Sequence, residues 1–172
     1  MNKHLQPIFS RRSVRDYQAR PVDETTIQDL LDAGMAAPSA CGKDPWEFIV
    51  LRDPQKLRDI AEALPNGGFL ADAGAGLVVC GDLRRAHANE LSYLLQDCSA
   101  AIENILLASS ILGLGACWLG VHPRTERVDF LKRYFSLPES IVPVATLALG
   151  WPKKNPEPRT RSKADFVHYE EW

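Results

Sequence analysis

Along the chain, apolar positions recur at spacings of three and four in several stretches, which predicts amphipathic helices. Asp23 stands as an N-cap with Glu24 in the first turn, and Ile27, Leu30, Leu31 and Gly34 follow on one face. Asp53-Pro54 opens a second helix, a capping residue followed by proline at the first helical position. Leu57, Ile60, Ala61 and Leu64 give it one apolar stripe. The strongest pattern runs from Asn89 to Leu112, where Leu91, Leu94, Leu95, Cys98, Ile102, Ile105, Leu106 and Leu112 hold a helical period. Its second half is apolar on nearly all sides, so this helix is expected either at the centre of the fold or in a subunit interface. Gly113 and Gly115 end it. A further helix is predicted from Glu126 to Phe135, with Val128, Leu131 and Phe135 inward.

Four short segments read as strands: 47–51, 76–80, 116–121 and 142–149. The second and third are almost continuously apolar, which suits strands covered on both faces. Helices and strands alternate, so the expected architecture is a sheet sandwiched by helices. The tail differs. Pro152, Pro156 and Pro158, with Lys153, Lys154, Arg159 and Arg161, form an extended basic arm ending in Phe166, Val167, Tyr169 and Trp172. Such a terminus either packs on its own subunit or reaches a partner.

Length changes this picture little: 172 residues suit one domain spanning 1–172, with 155–172 as an arm. Apolar residues make up 45% and the net charge is −2, which argues against a general nucleic-acid binder. No apolar stretch approaches a membrane span, and no apolar segment of a secretory signal follows Met1. The four cysteines, Cys41, Cys80, Cys98 and Cys117, form no C-x-x-C pair. They are expected as reduced thiols of a cytoplasmic protein, the last three as core residues.

Candidate chemistry is concentrated in few places. Arg11-Arg12-Ser13-Val14-Arg15 puts three guanidiniums and a hydroxyl within five residues, a donor set that matches phosphate oxygens. Arg159-Thr160-Arg161 is a second basic cluster. If folding joins the two, their mutual repulsion calls for an anion between them, and a phosphate monoester fits. Pro38-Ser39-Ala40-Cys41-Gly42 is a loop of small residues that lets backbone approach a flat ligand. Asp44 after Lys43 excludes a Walker A loop. Gly113-Leu114-Gly115 follows a helix and precedes a strand, the reverse of a dinucleotide fingerprint. His4, His87, His122 and His168 are scattered and no metal site is expected. No G-x-S-x-G elbow is present.

Five segments in order carry a resemblance: Arg11–Arg15, the 37–46 loop ending in Pro45-Trp46, the helix motif from Asp97 through Asn104 to Ala108, Leu112–Gly120, and Ala148–Pro152 with Pro158–Arg161. Together they resemble the FMN-dependent nitroreductase family over nearly the whole chain. The resemblance implies an α+β fold, a three-layer α/β/α sandwich with a central mixed sheet. It also implies a homodimer with an exchanged C-terminal arm and FMN held at the interface. Arg11, Arg12, Ser13 and Arg15 would match positions around the phosphate, ribityl chain and N1 side of the ring. Arg159 and Arg161 would match a second phosphate pair. Pro38, Ser39, Ala40 and Gly42 would lie against the partner's flavin. Leu119 and Gly120 would present backbone amides to the ring, and Asn66 would reach its pyrimidine edge.

The implied activity passes hydride from NAD(P)H through the flavin to a small oxidised acceptor, nitroaromatic or quinone, by alternating half-reactions. No side chain is named as catalytic. The loop commonly carries Asn and Gln where this chain has Gly42 and Asp44, so two donors are missing and a carboxylate is added. A flavin-binding sensor or storage protein without turnover stands as the alternative, and a dimeric scaffold that has lost FMN as a third reading, opposed by the five clustered arginines.

Overall fold

The computed structural model describes residues 2–160 and 163–172, so Arg161 lies outside the described residues. A short helix, α1 (Gln6–Ser10), precedes the first predicted one. Helix α2 (Glu24–Met35) begins where Asp23 accepts a hydrogen bond from the Thr26 amide. Strand β1 (Trp46–Leu51) leads to α3 (Pro54–Ala63), capped by Asp53 through the Gln55 amide. Strand β2 (Ala75–Asp82), helix α4 (Leu91–Ile111), strand β3 (Gly115–Gly120), helix α5 (Thr125–Tyr134) and strand β4 (Ile141–Gly150) follow.

The strand order is β1-β2-β4-β3, and all three pairings are antiparallel. This corrects the mixed sheet expected from the sequence. Alternation of helix and strand suggests same-direction neighbours, but here the connection from β1 to β2 goes out and back. It uses α3 and a short 3-10 turn over Gly68–Asp72, and so returns β2 in the opposite sense. A parallel contact does occur outside the named strands, a bridge between Ser13 and Ala116.

Register places Ile49, Val78, Thr146 and Leu119 in one row across the sheet, and Val50, Leu77, Leu147 and Trp118 in the next. Period-two alternation sends these rows to opposite faces. Leu77 and Leu147 pack with Ile27 and Leu30 of α2 and Leu94, Cys98, Ile102 and Ile105 of α4. Val78 and Leu119 pack with Leu57 and Ile60 of α3 and Leu131 of α5. Helices therefore cover both faces, which is why β2 is buried at every position. Cys80, Cys98 and Cys117 are buried free thiols, and Cys41 is exposed. Burial pushes the thiols of Cys80 and Cys98 up to about 12.

Among the described residues, large apolar side chains are exposed at several places, including the end of α4 and the C-terminal arm. At the end of α4, Ile111 is 64% exposed, and Leu112 after it is exposed as well. All of residues 163–172 are exposed, with Tyr169 at 86% and Trp172 at 101%.

Candidate functional site

The arginine-rich segment leaves α1 and runs beside β3, held by the Val14 amide donating to the Ala116 carbonyl at 3.0 Å. Gly115 makes this approach feasible: a Cβ there would lie 2.6 Å from Val14 Cβ. Downstream, the buried Tyr17 hydroxyl donates to the Val14 carbonyl at 2.6 Å and also reaches the Ala148 carbonyl. Burial raises its phenol well above the usual range. The chain after β4 joins the same segment, since Gln18 donates its amide to Trp151 and Lys153 donates to Asp16.

This arrangement brings the two basic clusters together. The Arg159 amide donates to the Phe9 carbonyl at 3.1 Å. Ile8, Phe9, Arg11, Arg12, Ser13, Arg159 and Thr160 line a cavity of about 430 Å³. Three guanidiniums and two hydroxyls line it, and no carboxylate does among the described residues. Arg11 is held from outside by Glu103 of α4, Nε to Oε1 at 3.2 Å.

At the other end of the segment lies a second cavity of about 180 Å³, lined by Arg15, Leu64, Pro65, Asn66, Phe69, Cys117, Trp118, Leu119, Gly120 and Arg127. Arg15 sits over the Phe69 ring at 5.7 Å. Asn66 occupies the left-handed region (φ 64°) in the turn after α3, a conformation asparagine tolerates. Arg127 donates Nη1 to the Gly120 carbonyl at 2.6 Å and so holds the end of β3. The Cys117 thiol is raised by burial, an effect moderated by Arg15.

Eight of the residues expected from the sequence thus fall in two groups: Arg11, Arg12, Ser13 and Arg159 in one, Arg15, Asn66, Leu119 and Gly120 in the other. Pro38, Ser39, Ala40 and Gly42 line neither cavity of this chain. Their loop sits against α4, with the Ala40 amide donating to Asp97 Oδ1 at 2.9 Å. Ser39 donates to the Asp44 carboxylate and accepts from the Asp44 amide. Cys41, Gly42 and Asp44 all have positive φ.

Arg127 and Phe69 were not singled out by sequence reasoning, and Asp97 and Glu103 entered it only as part of a helix motif, with no role at the site. Arg127 had a legible signal: it lies four residues before Leu131 and so shares the inward face of its helix. No group of three or more His, Cys, Asp or Glu among the described residues could hold a metal ion. No helix among them is long and apolar enough to cross a membrane.

This sheet flanked by helices has clear counterparts among known proteins. The profile of the Nitroreductase family matches residues 8–68 and 62–151. A Methanothermobacter thermautotrophicus protein assigned as an NADH dehydrogenase/NAD(P)H nitroreductase is 43% identical over 98% of this chain and 87% of its own. A crystal structure from Parabacteroides distasonis, of a protein assigned the same way, superposes with a TM-score of 0.93 at 37% identity, covering 100% of both chains. A Desulfovibrio desulfuricans protein assigned as a nitroreductase and crystallised with FMN superposes with a TM-score of 0.86 at 29% identity, covering 100% of this chain and 99% of that one. The chain belongs to the nitroreductase family, a family of oxidoreductase enzymes.

Proposed function

We propose that the protein is an FMN-dependent NAD(P)H oxidoreductase that works as a homodimer. One observation carries this reading: the segment from Arg11 to Arg15 joins a carboxylate-free cavity rich in guanidiniums to a cavity lined by aromatic rings and strand backbone. That pair suits an elongated ligand with a phosphate at one end and a flat ring at the other. The FMN complex of the Desulfovibrio relative and the nicotinamide chemistry in the name of the Methanothermobacter relative support the same ligands.

Bound FMN would supply two-electron transfer from NAD(P)H to a small oxidised acceptor such as a nitroaromatic or quinone, in alternating half-reactions. The protein's residues do the rest. Arg11, Arg12, Ser13 and Arg159 hold the phosphate, and Arg161 is proposed to join them. Glu103 engages Arg11 through Nε, which leaves the two terminal nitrogens of the guanidinium for phosphate oxygens. Arg15, which lines the second cavity, would place positive charge beside the ring and stabilise negative charge there. Asn66 would meet the polar edge of the ring, and Leu119 and Gly120 would offer backbone groups at the end of β3. No side chain need serve as acid or base in this reading.

Pro38, Ser39, Ala40 and Gly42 complete the partner's site rather than their own, in keeping with their absence from both cavities of this chain. The arm exchanges between subunits, which would cover Phe166, Val167, Tyr169 and Trp172. Four free thiols suit a reducing, cytoplasmic setting.

Anaerobic half-reactions test the proposal. NADH or NADPH should bleach the flavin absorbance of the loaded protein, and a nitroaromatic or quinone should restore it. Initial rates at varied donor and acceptor should then give parallel double-reciprocal lines. Flavin that binds but is neither reduced by NAD(P)H nor reoxidised by any acceptor would point instead to a sensor or storage protein.

A further inference from the structure

Three polar residues of helix α4, Asp97, Glu103 and Asn104, line neither cavity but bond to neighbouring elements. Each nevertheless holds an element that the functional reading uses. Glu103 holds Arg11. Asn104 donates Nδ2 to the Ala33 carbonyl at 3.0 Å, near the end of α2 where the 36–45 loop begins. Asp97 accepts from the Ala40 amide at 2.9 Å, in the middle of that loop. Asp97 and Asn104 are seven residues apart, about two helical turns, and so share one face.

Asp97 is the unusual member. It is only 5% exposed, and its Oδ2 has no hydrogen-bond partner among the described residues. Burying a carboxylate carries a desolvation cost, so a carboxylate with one amide partner at this position is an expensive way to fill a core. An apolar residue would pack there more cheaply. The feature that needs an acceptor is the loop. Ser39 to Asp44 turns through three residues of positive φ, and Cys41 to Asp44 are all exposed. From Ser39 to Asp44, the hydrogen bonds among the described residues other than that to Asp97 are internal to the turn, among Ser39, Ala40, Gly42, Lys43 and Asp44. The Asp97–Ala40 bond therefore tethers the middle of the loop to α4, while the Pro45 carbonyl, accepting from the Asp82 amide, ties its end to β2.

We infer that Asp97 is a positioning residue for flavin binding: through the Ala40 amide it fixes the 38–42 loop in the shape that it presents to the flavin of the partner subunit. This rests on the proposed flavin site. Asp97 touches no ligand itself and acts through Ala40.

A double-mutant cycle separates positioning from plain stability. Asp97→Ala removes the acceptor. Asp97→Asn keeps an oxygen for the Ala40 amide and removes the charge. Ala40→Pro removes the donor and leaves α4 untouched. Proline is compatible there, because Ala40 opens a 3-10 turn and Ser39 before it is extended (φ −134°, ψ 159°). The readouts are FMN affinity by fluorescence quenching, dimer content by light scattering, and hydrogen exchange of the Ala40 amide.

The expected result is a loss of FMN affinity of about 10- to 100-fold in Asp97→Ala, the size of a lost charge-assisted hydrogen bond. Affinity should return to within about threefold of wild type in Asp97→Asn. Asp97→Ala/Ala40→Pro should bind no more weakly than the worse single variant, since both changes break the same contact. Ala40 exchange should accelerate in Asp97→Ala while dimer content holds. Additive losses in the double variant, or unchanged Ala40 exchange in Asp97→Ala, would overturn the proposal. Should Asp97→Ala fail to fold, Ala40→Pro and Asp97→Asn still decide it: full FMN affinity in Ala40→Pro overturns it. A folded wild-type protein with no FMN affinity would overturn the functional reading instead, and the exchange measurement would still test the tether.

Discussion

Deleting residues 163–172 removes the exposed terminus and keeps Arg159. In the single chain Phe166, Val167, Tyr169 and Trp172 are 73%, 54%, 86% and 101% exposed, the equivalent of about three fully exposed large side chains. Burying such side chains contributes about 1.5–3 kcal/mol each, so one arm could bring about 5 kcal/mol or more to a dimer. Ordering the arm's backbone and side chains offsets part of this, and about 2–3 kcal/mol is a reasonable remainder. That corresponds to a weakening of dimerisation by roughly a hundredfold for each arm lost. Sedimentation velocity over a dilution series would measure it, with FMN titrated into the same samples. Dimer and flavin affinity should fall together, because Arg159 lies on the same arm and the proposed flavin site is built from both subunits. A truncated protein that remains dimeric at low micromolar concentration, with unchanged FMN affinity, would refute the exchange.

Arg159→Ala should weaken FMN by about 10- to 100-fold, one charge-assisted contact, and leave riboflavin affinity nearly unchanged; equal losses for both ligands would mean that Arg159 does not hold phosphate. Thiol titration of the native protein should show one fast cysteine, Cys41, and three that react only after denaturation, since burial raises Cys80, Cys98 and Cys117. Rapid modification of a second thiol would contradict the described core. The Asp82 carboxyl is lowered to about 2, chiefly by the hydrogen bonds it accepts from Arg84. Its folded value lies below the unfolded one of about 4, so its contribution is present above that pH and is lost as pH falls through about 2. With Arg84 largely in solvent the effect is about 1 kcal/mol. Urea unfolding of wild type and Asp82→Asn should therefore converge between pH 4 and pH 2, and a constant difference would contradict the assignment.

Local structure was more legible than connectivity. Asp23 and Asp53-Pro54 announce their helices because capping is a property of adjacent residues. Helix α1 went unread: Gln6–Ser10 is little more than one turn, too short to show a period. Strand direction was hidden for a different reason. Whether a helical connection crosses the sheet or doubles back depends on packing between distant residues, and no local pattern records it. The arginine clusters pointed to a common anion, and Arg11, Arg12 and Arg159 do line one cavity. Arg127 was missed because an isolated arginine on an amphipathic helix reads as solvated. The small residues of Pro38–Gly42 marked a loop open to a flat ligand, but its assignment to the partner's flavin came only through resemblance, since in one chain it faces neither cavity and its anchor, Asp97, is far away in sequence.

Flavin identity is the most direct test of the whole account. The protein should purify yellow, or become so when FMN is added, and heat denaturation should release FMN and no FAD, identified by chromatography against both standards. Colourless protein that takes up no added FMN would contradict the proposed function.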